Sequence, residues 1–372
     1  MSKLSRRNFI RTLAASAGAV ALSPVLAGCQ PNQNPATSEP TQPAAESQLA
    51  ESTSTQALNS PTQTSPVPCS GSDSQPCDTP STSPVEMAAP TEQVKEPAEP
   101  AQPSAGIPDL AVARGGEPED LVRRALAALG GIERFVKKDA RVIIKPNICT
   151  DYHTYEYATT TNPWVVGALV KLAWEAGAKT VQVMDTGFGG SPKSGYDRSG
   201  IQEQVELAGG EMVVMPSFKY VSSPIPDGRD IKEWEFYEDI LNADMLINVP
   251  IAKDHGSTRL TLGMKNLMGV VLNRGGLHAN LGQRIADITS RIRPGLTVID
   301  AVRILTANGP TGGNLDDVKK LDTVIASPDI VAADSYATRL FDLKPDDIRY
   351  IVAAADMGLG RKDVENMVIS EV

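Results

Sequence analysis

A change in composition at residue 107 limits how much of this chain can fold around a core. Residues 30–106 contain no Phe, Trp or Tyr and hold 14 of the 28 prolines in the chain. Nine acidic residues and a single base, Lys95, give this segment a net charge of −8. So little apolar surface cannot offset the entropy lost on ordering the backbone. We therefore predict a disordered linker over residues 30–106 and a folded domain over residues 107–372.

The first 29 residues are similar to a bacterial export signal. A Ser-Arg-Arg-Asn-Phe motif occupies residues 5–9, and a Leu-Ala-Gly-Cys tetrad ends at Cys29. The paired arginines resemble a twin-arginine signal, and the tetrad resembles a lipobox in which Cys29 is the lipidation site. The weakly apolar run between them, residues 12–28, includes serine, glycine and proline. It is shorter than the roughly 20 apolar residues that a membrane-spanning helix needs.

These motifs predict where the protein resides and what it contacts. We expect recognition by the twin-arginine translocation machinery, followed by a lipid anchor on the outer face of the cytoplasmic membrane or in the periplasm. The membrane would then be a partner through the anchor alone. Residues 107–372 carry 30 basic and 36 acidic residues. This balance argues against a nucleic-acid partner, which requires a basic surface. Cys69 and Cys77 in the linker form either a local disulfide or two free thiols.

Beyond residue 107, short apolar runs alternate with amphipathic stretches. We predict strands at residues 142–144, 180–185, 212–214, 245–249, 296–300 and 323–326, and helices at residues 164–173, 201–207, 236–241 and 328–340. Continuously apolar strands separated by helices are typical of a parallel sheet that is covered on both faces. The predicted fold class is therefore α/β, with a mostly parallel sheet and helices on both faces.

Polar residues stand where several of these strands end. The ends are Lys145-Pro146-Asn147, Asp185, residues 248–255 and Asp300. Ligands of open parallel sheets bind outside the carboxyl ends of the strands, so we expect a shared rim with a binding site. The alternative is that these ends are polar because the following loops are solvated.

Several motifs in this order resemble one known family. They are Lys145-Pro146-Asn147, Lys253-x-His255, Thr261-x3-Lys265-Asn266-x2-Gly269, and residues 327–340 with Asp334. Over about residues 140–340 the chain resembles the domain of unknown function 362 family. Some relatives carry ferredoxin-like cysteine clusters beside this domain, which implies redox roles for them. Cys149 is the single cysteine of residues 107–372, so this chain cannot supply the four thiolates of an iron–sulfur cluster there.

The stretch from residue 258 to 272 is apolar at most positions, which predicts a buried helix. Thr258, Thr261 and Lys265 would form a narrow polar stripe along it. A buried ammonium needs an anionic partner, because leaving it unpaired is very costly. That partner is either an internal Asp or Glu or the carboxylate or phosphate of a ligand.

These observations give a hypothesis for a site that holds a small anionic molecule. The catalytic candidates are His255, which would move a proton, and Lys265. The candidates for ligand binding are Lys145, Asn147, Asp185, Lys253, Thr261 and Asn266. His255 and His278 are candidate metal ligands, with Asp287 or Asp300 as a carboxylate ligand.

The leading functional hypothesis is an exported, lipid-anchored protein that binds or acts on a small anionic ligand at the carboxyl rim of the sheet. The sequence leaves open whether it is an enzyme and which cofactor it uses. Two alternatives remain at this point. One is a redox accessory protein that carries a flavin or a metal, and the other is a non-catalytic solute-binding lipoprotein.

Overall fold

The computed structural model describes residues 106–372. The predicted export signal, the predicted lipidation site Cys29 and the predicted linker before Gly106 lie outside the described residues. Within residues 106–372, no helix has both the length and the apolar character that crossing a membrane requires.

Twelve strands form one large sheet and one hairpin in this part of the chain. The strands are β1 (Leu110–Arg114), β2 (Arg141–Pro146), β3 (Thr180–Val183), β4 (Glu211–Met212), β5 (Tyr220–Pro224), β6 (Glu233–Tyr237), β7 (Met245–Val249), β8 (Ile251–His255), β9 (Arg259–Thr261), β10 (Leu296–Leu305), β11 (Val318–Ser327) and β12 (Ile369–Glu371). The order in the ten-stranded sheet is β12-β1-β11-β10-β7-β2-β3-β4, with β8 on β10 and β9 on β8. Strands β10, β7, β2, β3 and β4 are parallel, whereas β11 runs antiparallel to both of its neighbours.

Ten helices accompany these strands in the described domain. They are α1 (Pro118–Ala128), α2 (Pro163–Glu175), α3 (Pro192–Arg198), α4 (Ile201–Leu207), α5 (Glu238–Asn242), α6 (Gly263–Asn266), α7 (Arg274–Leu277), α8 (Leu281–Arg291), α9 (Ile330–Ala337) and α10 (Arg349–Asp356). Helices α1, α2 and α4 pack in a core on one face of the sheet, and α6, α8, α9 and α10 pack in a core on the other. Along β2, Val142 and Ile144 belong to the first core and Ile143 to the second. The predicted mostly parallel α/β fold with helices on both faces is confirmed.

Helix α2 shows how the local sequence sets these elements. The Asn162 side chain caps it by accepting a hydrogen bond from Trp164 N at 3.0 Å. Pro163 stands at the first helical position, where its missing N–H costs nothing. The helix then buries most of its apolar residues against the strands.

The prediction of one helix over residues 258–272 is wrong. The chain instead contains β9, the four-residue helix α6, a 3-10 turn over Leu267–Val270 and extended backbone at Val271. Nearly every side chain from residue 260 to 271 is buried. A segment that is packed on all sides is apolar throughout, so the spacing of its apolar residues does not reveal its conformation.

A distant carboxylate determines where α6 begins. Asp334 on α9 accepts hydrogen bonds from Gly263 N at 2.6 Å and Met264 N at 2.9 Å. A Cβ at position 263 would lie 2.7 Å from Asp334 Oδ1, so this approach requires glycine. The contact fixes the start of the helix that carries Lys265 and Asn266.

Replacing Asp334 by alanine should therefore destabilise the domain. The change leaves two buried backbone N–H groups without acceptors, at about 1–3 kcal/mol each. We expect the free energy of unfolding to fall by about 2–5 kcal/mol, measured by urea denaturation. The matched control Asp227→Ala, at an exposed turn, should change it by less than about 0.5 kcal/mol. Equal effects of the two substitutions would contradict this role of Asp334.

Candidate functional site

A cavity of about 480 Å³ opens at the carboxyl ends of the parallel strands. Nine of the predicted site residues line it: Lys145, Asn147, Asp185, Lys253, His255, Thr261, Lys265, Asn266 and His278. These residues come from β2 and the loop after it, the loop after β3, β8, β9, α6 and the segment that follows α7. Asp300 does not join them, because its carboxylate accepts hydrogen bonds from Asn162 N and Val302 N, at 2.7 and 2.9 Å.

Lys145 forms an internal ion pair in the wall of the cavity. Its Nζ lies 2.6 Å from Asp185 Oδ1 and also donates to Pro146 O at 2.7 Å and Asn266 Oδ1 at 3.0 Å. The three donors of the ammonium are thus all used within the protein. Burial lowers the pKa of Lys145, and the charge of Asp185 opposes this effect. The predicted contact of Lys145 with a ligand therefore stays a prediction.

Asp185 and Asn266 are engaged by the protein in the same way. Asp185 accepts from Ile148 N at 2.6 Å and Thr186 N at 2.9 Å in addition to Lys145. The Asn266 amide donates to Asn248 Oδ1 at 2.9 Å. These bonds join the ends of β2 and β7, the loop after β3 and helix α6. Both residues hold the walls of the cavity in place.

Gly269 leaves room for the ion pair. A Cβ at this position would overlap Asp185 Oδ1 and lie 2.7 Å from Lys145 Nζ. A residue larger than glycine here would have to displace the buried pair. This explains the glycine in the Lys265-Asn266-x2-Gly269 motif.

Lys253 is also buried, but its partners are carbonyl groups. Its Nζ donates to Thr159 O at 2.7 Å and to Pro310 O at 3.1 Å. Burial lowers its pKa, and the neighbouring Cys149 thiol opposes this effect. In residues 106–372, no carboxylate forms a salt bridge with Lys253.

Lys265 differs from both of these lysines. Within the described domain it makes neither a hydrogen bond nor an ion pair. Burial, together with the nearby charge of Lys253, lowers its pKa to about 8. The internal Asp or Glu considered from the sequence is not found among the described residues. The ammonium thus lines the cavity without a protein partner.

His255 is held in a defined neutral form. Its pKa is lowered to about 3, first by burial and then by the charges of Lys265 and Lys253. Ser257 N donates to the ring Nδ1 at 3.1 Å, so this nitrogen carries no proton. The neutral ring therefore has its proton on Nε2 and acts as a hydrogen-bond donor from that side.

Two polar atoms of the lining have no partner in the described part of the chain. They are Asn147 Oδ1 and Thr261 Oγ1. Thr261 is only 3% exposed and lies in the cavity wall. Buried polar groups are nearly always hydrogen-bonded, so a bound water or ligand would complete these two.

Arg274 and Cys149 line the cavity but were not predicted from the sequence as site residues. Arg274 donates to Thr186 O and Gly187 O, each at 2.9 Å, and so joins α7 to the loop after β3. The Gly275-Gly276 pair next to Arg274 draws attention to this segment in the sequence. It does not predict that the segment reaches the cavity. Cys149 is a buried free cysteine and lines the same cavity. The exposed Phe188 lies at its edge.

The predicted metal site is not completed by a carboxylate. Asp287 accepts hydrogen bonds from Arg229 N, Asp230 N and Ile231 N instead. Among residues 106–372, no group of three or more His, Cys, Asp or Glu side chains is arranged to hold a metal ion. Metal binding by His255 and His278 stays a prediction.

The family described as Domain of unknown function (DUF362) matches residues 142–339. This is more than half of the 372-residue chain, and the chain belongs to this family. The resemblance drawn from the motifs is thereby confirmed, with nearly the same bounds.

Similar proteins include a thylakoid-associated protein of Synechocystis sp., 29% identical over 247 residues, which are 64% of this chain and 74% of that protein. The lactate racemase apoprotein of Thermoanaerobacterium thermosaccharolyticum is 12% identical with a TM-score of 0.34, covering 57% of this chain and 53% of that one. A protein of Thermotoga maritima is 14% identical with a TM-score of 0.36, covering 61% of this chain and 60% of that one. The chain thus spans less than two thirds of each solved structure.

Substituting Gly269 by alanine should disrupt the Lys145–Asp185 pair. Separating a buried pair leaves an uncompensated charge, so we expect a loss of about 3 kcal/mol or more in the free energy of unfolding. Denaturant titration measures this loss. The matched control is Gly275→Ala on α7, where a Cβ would meet nothing within 4 Å. It should be neutral or slightly stabilising. A neutral Gly269→Ala variant would contradict the close approach described here.

Proposed function

We propose that this domain binds, and acts on, a small anionic molecule in the cavity at the carboxyl rim of its sheet. The observation that carries the proposal is the unpartnered ammonium of Lys265. Lys265 is half-buried. An ammonium partly removed from water without a counter-charge is costly, and a carboxylate or phosphate of a ligand would supply that charge.

The charge of the whole lining supports the same ligand class. Among the lining residues of the described domain, Lys145, Lys253, Lys265 and Arg274 are basic and Asp185 is acidic. Asp185 is paired with Lys145, which leaves the basic side chains of Lys253, Lys265 and Arg274 around the cavity. At 4 Å and an effective dielectric constant near 20, each contact of unit charges contributes about 4 kcal/mol before desolvation is subtracted.

In this proposal, the polar residues that line the cavity have separate roles. Lys265 would pair with the anionic group, while His255 Nε2 and the Thr261 hydroxyl would donate to further ligand oxygens. Asn147 Oδ1 would accept a hydrogen bond from a hydroxyl or amine where the ligand carries one. Lys265 is the proton carrier of the site, because its pKa of about 8 lies close to neutral pH. His255 acts chiefly as a donor at neutral pH.

Anion affinity should follow the charge of residue 265. Calorimetric titration of the full chain with lactate, phosphate and sulfate measures the dissociation constants. We expect Lys265→Met to weaken binding by about 10- to 100-fold, because a charge-assisted hydrogen bond is lost. In the unmodified protein, affinity should fall as the pH rises through about 8, because the ammonium loses its proton.

Two further variants test the cause of this effect. Lys265→Arg keeps its charge at all these pH values and should therefore bind without the fall in affinity near pH 8. Lys179→Met, an exposed lysine outside the lining, should bind like the unmodified protein. Unchanged affinity in Lys265→Met, or no binding of these anions by the unmodified protein, would contradict the proposed site.

We also propose that the protein acts in the cell envelope after export by the twin-arginine machinery. The motif at residues 5–9 and the tetrad ending at Cys29 support this proposal. An anchor on Cys29 followed by an acidic, proline-rich linker would hold the domain away from the membrane surface.

Substitution of Cys29 should abolish the anchor. We expect Cys29→Ser to lose incorporation of a labelled fatty acid and to leave the membrane fraction, whereas Cys69→Ser, in the linker, should keep both properties. Replacing Arg6 and Arg7 by lysine should retain the precursor inside the cell. Fatty-acid labelling that persists in Cys29→Ser would contradict lipidation at this residue.

A further inference from the structure

We propose that Lys265 forms an imine with the carbonyl carbon of an anionic aldehyde or ketone, such as a 2-oxo acid. This inference rests on the proposed function and names the class of substrate. It adds a covalent step to a site that would otherwise only hold an anion.

The surroundings of Lys265 are those of a nucleophilic amine. No protein acceptor occupies its Nζ within the described domain, so the nitrogen is available to a ligand. Lys145, Lys253 and Arg274 line the same cavity and disfavour a further positive charge. Burial and the neighbouring cations bring its pKa to about 8, so about a tenth of the amine is unprotonated at pH 7. A lysine placed next to other cations in a desolvated pocket is activated in this way.

Lys145 and Lys253 are less suited to this role. Each is fully buried and already donates to protein acceptors: Lys145 to Asp185, Pro146 and Asn266, and Lys253 to two carbonyls. Attack on a carbonyl carbon would require these bonds to break. Lys265 has no such bonds to lose.

The remaining groups of the cavity fit the other atoms of such a substrate. The cationic side chains of Lys253 and Arg274 would attract its carboxylate. The hydroxyl of Thr261 has no partner and is nearly fully buried, so it would donate to the carbonyl oxygen. Ile148, Phe188 and Met268 offer apolar surface to the rest of the molecule.

The step balances without an added oxidant or reductant. The lone pair of the free Nζ forms a bond to the carbonyl carbon, and the carbonyl oxygen takes up a proton to give a carbinolamine. The C–O bond then breaks, and the oxygen leaves as water with the two hydrogens of the amine. The product is the imine, and its protonated form retains the charge of the original ammonium.

Reductive trapping tests the inference on the full chain. The protein is incubated with pyruvate and sodium cyanoborohydride, and the adduct is located by intact mass and peptide mapping. We expect one adduct on Lys265, formed about 10-fold or more faster than on the exposed Lys179, since Lys265 lines the cavity and its pKa of about 8 leaves part of its amine unprotonated at neutral pH. Lactate, which has no aldehyde or ketone group, should give no adduct but should slow trapping by pyruvate.

Two variants separate the covalent step from anion binding. Lys265→Arg should lose the adduct and still bind lactate, whereas Lys179→Arg should keep both. Lactate binding without any trapped adduct, or an adduct on Lys145 or Lys253, would overturn the imine and leave the anion site standing. Failure of both pyruvate and lactate to bind would overturn the anion site as well.

Discussion

The buried ion pair between Lys145 and Asp185 is the interaction on which the carboxyl edge of the sheet depends. Both charges have left water, and such a pair is tolerable only when further hydrogen bonds satisfy the remaining donors and acceptors. Here Asn266 and Pro146 O take the other protons of the ammonium, and two backbone N–H groups serve the carboxylate. The network therefore ties β2, the loop after β3 and helix α6 together as one unit.

The same chemistry separates the lysines of the cavity into two kinds. Lys145 and Lys253 donate to protein acceptors and shape the walls, whereas Lys265 has no such acceptor in the described domain. A single carboxylate cannot neutralise all of these cations. The fold thus gathers basic side chains around one cavity, and this imbalance of charge supports the proposed anion site.

Sequence reasoning succeeded where a local rule decides the outcome. The strand at residues 245–249 and the helix after Asn162 follow from short patterns, and the polar strand ends converge because parallel strands finish at one edge. It failed where a distant residue decides. Asp334 captures the first N–H groups of α6, and Asn273 adopts a left-handed conformation with φ 49° just before Arg274. Neither the hydrogen bonds of Asp334 nor the conformation of Asn273 can be predicted from the spacing of nearby residues. The sequence therefore predicts neither the short helix α6 nor the position of Arg274.

The cavity is built from segments that are far apart along the chain, from Lys145 to Pro310. No subfragment of the domain contains a complete set of walls. A bound molecule is consequently released whenever one of these segments detaches, so occupancy opposes partial opening of the whole edge as well as global unfolding. Under the proposed function, a ligand in a crude metabolite mixture would be detected because it increases resistance to proteolysis and slows amide exchange across β2, β7 and β8.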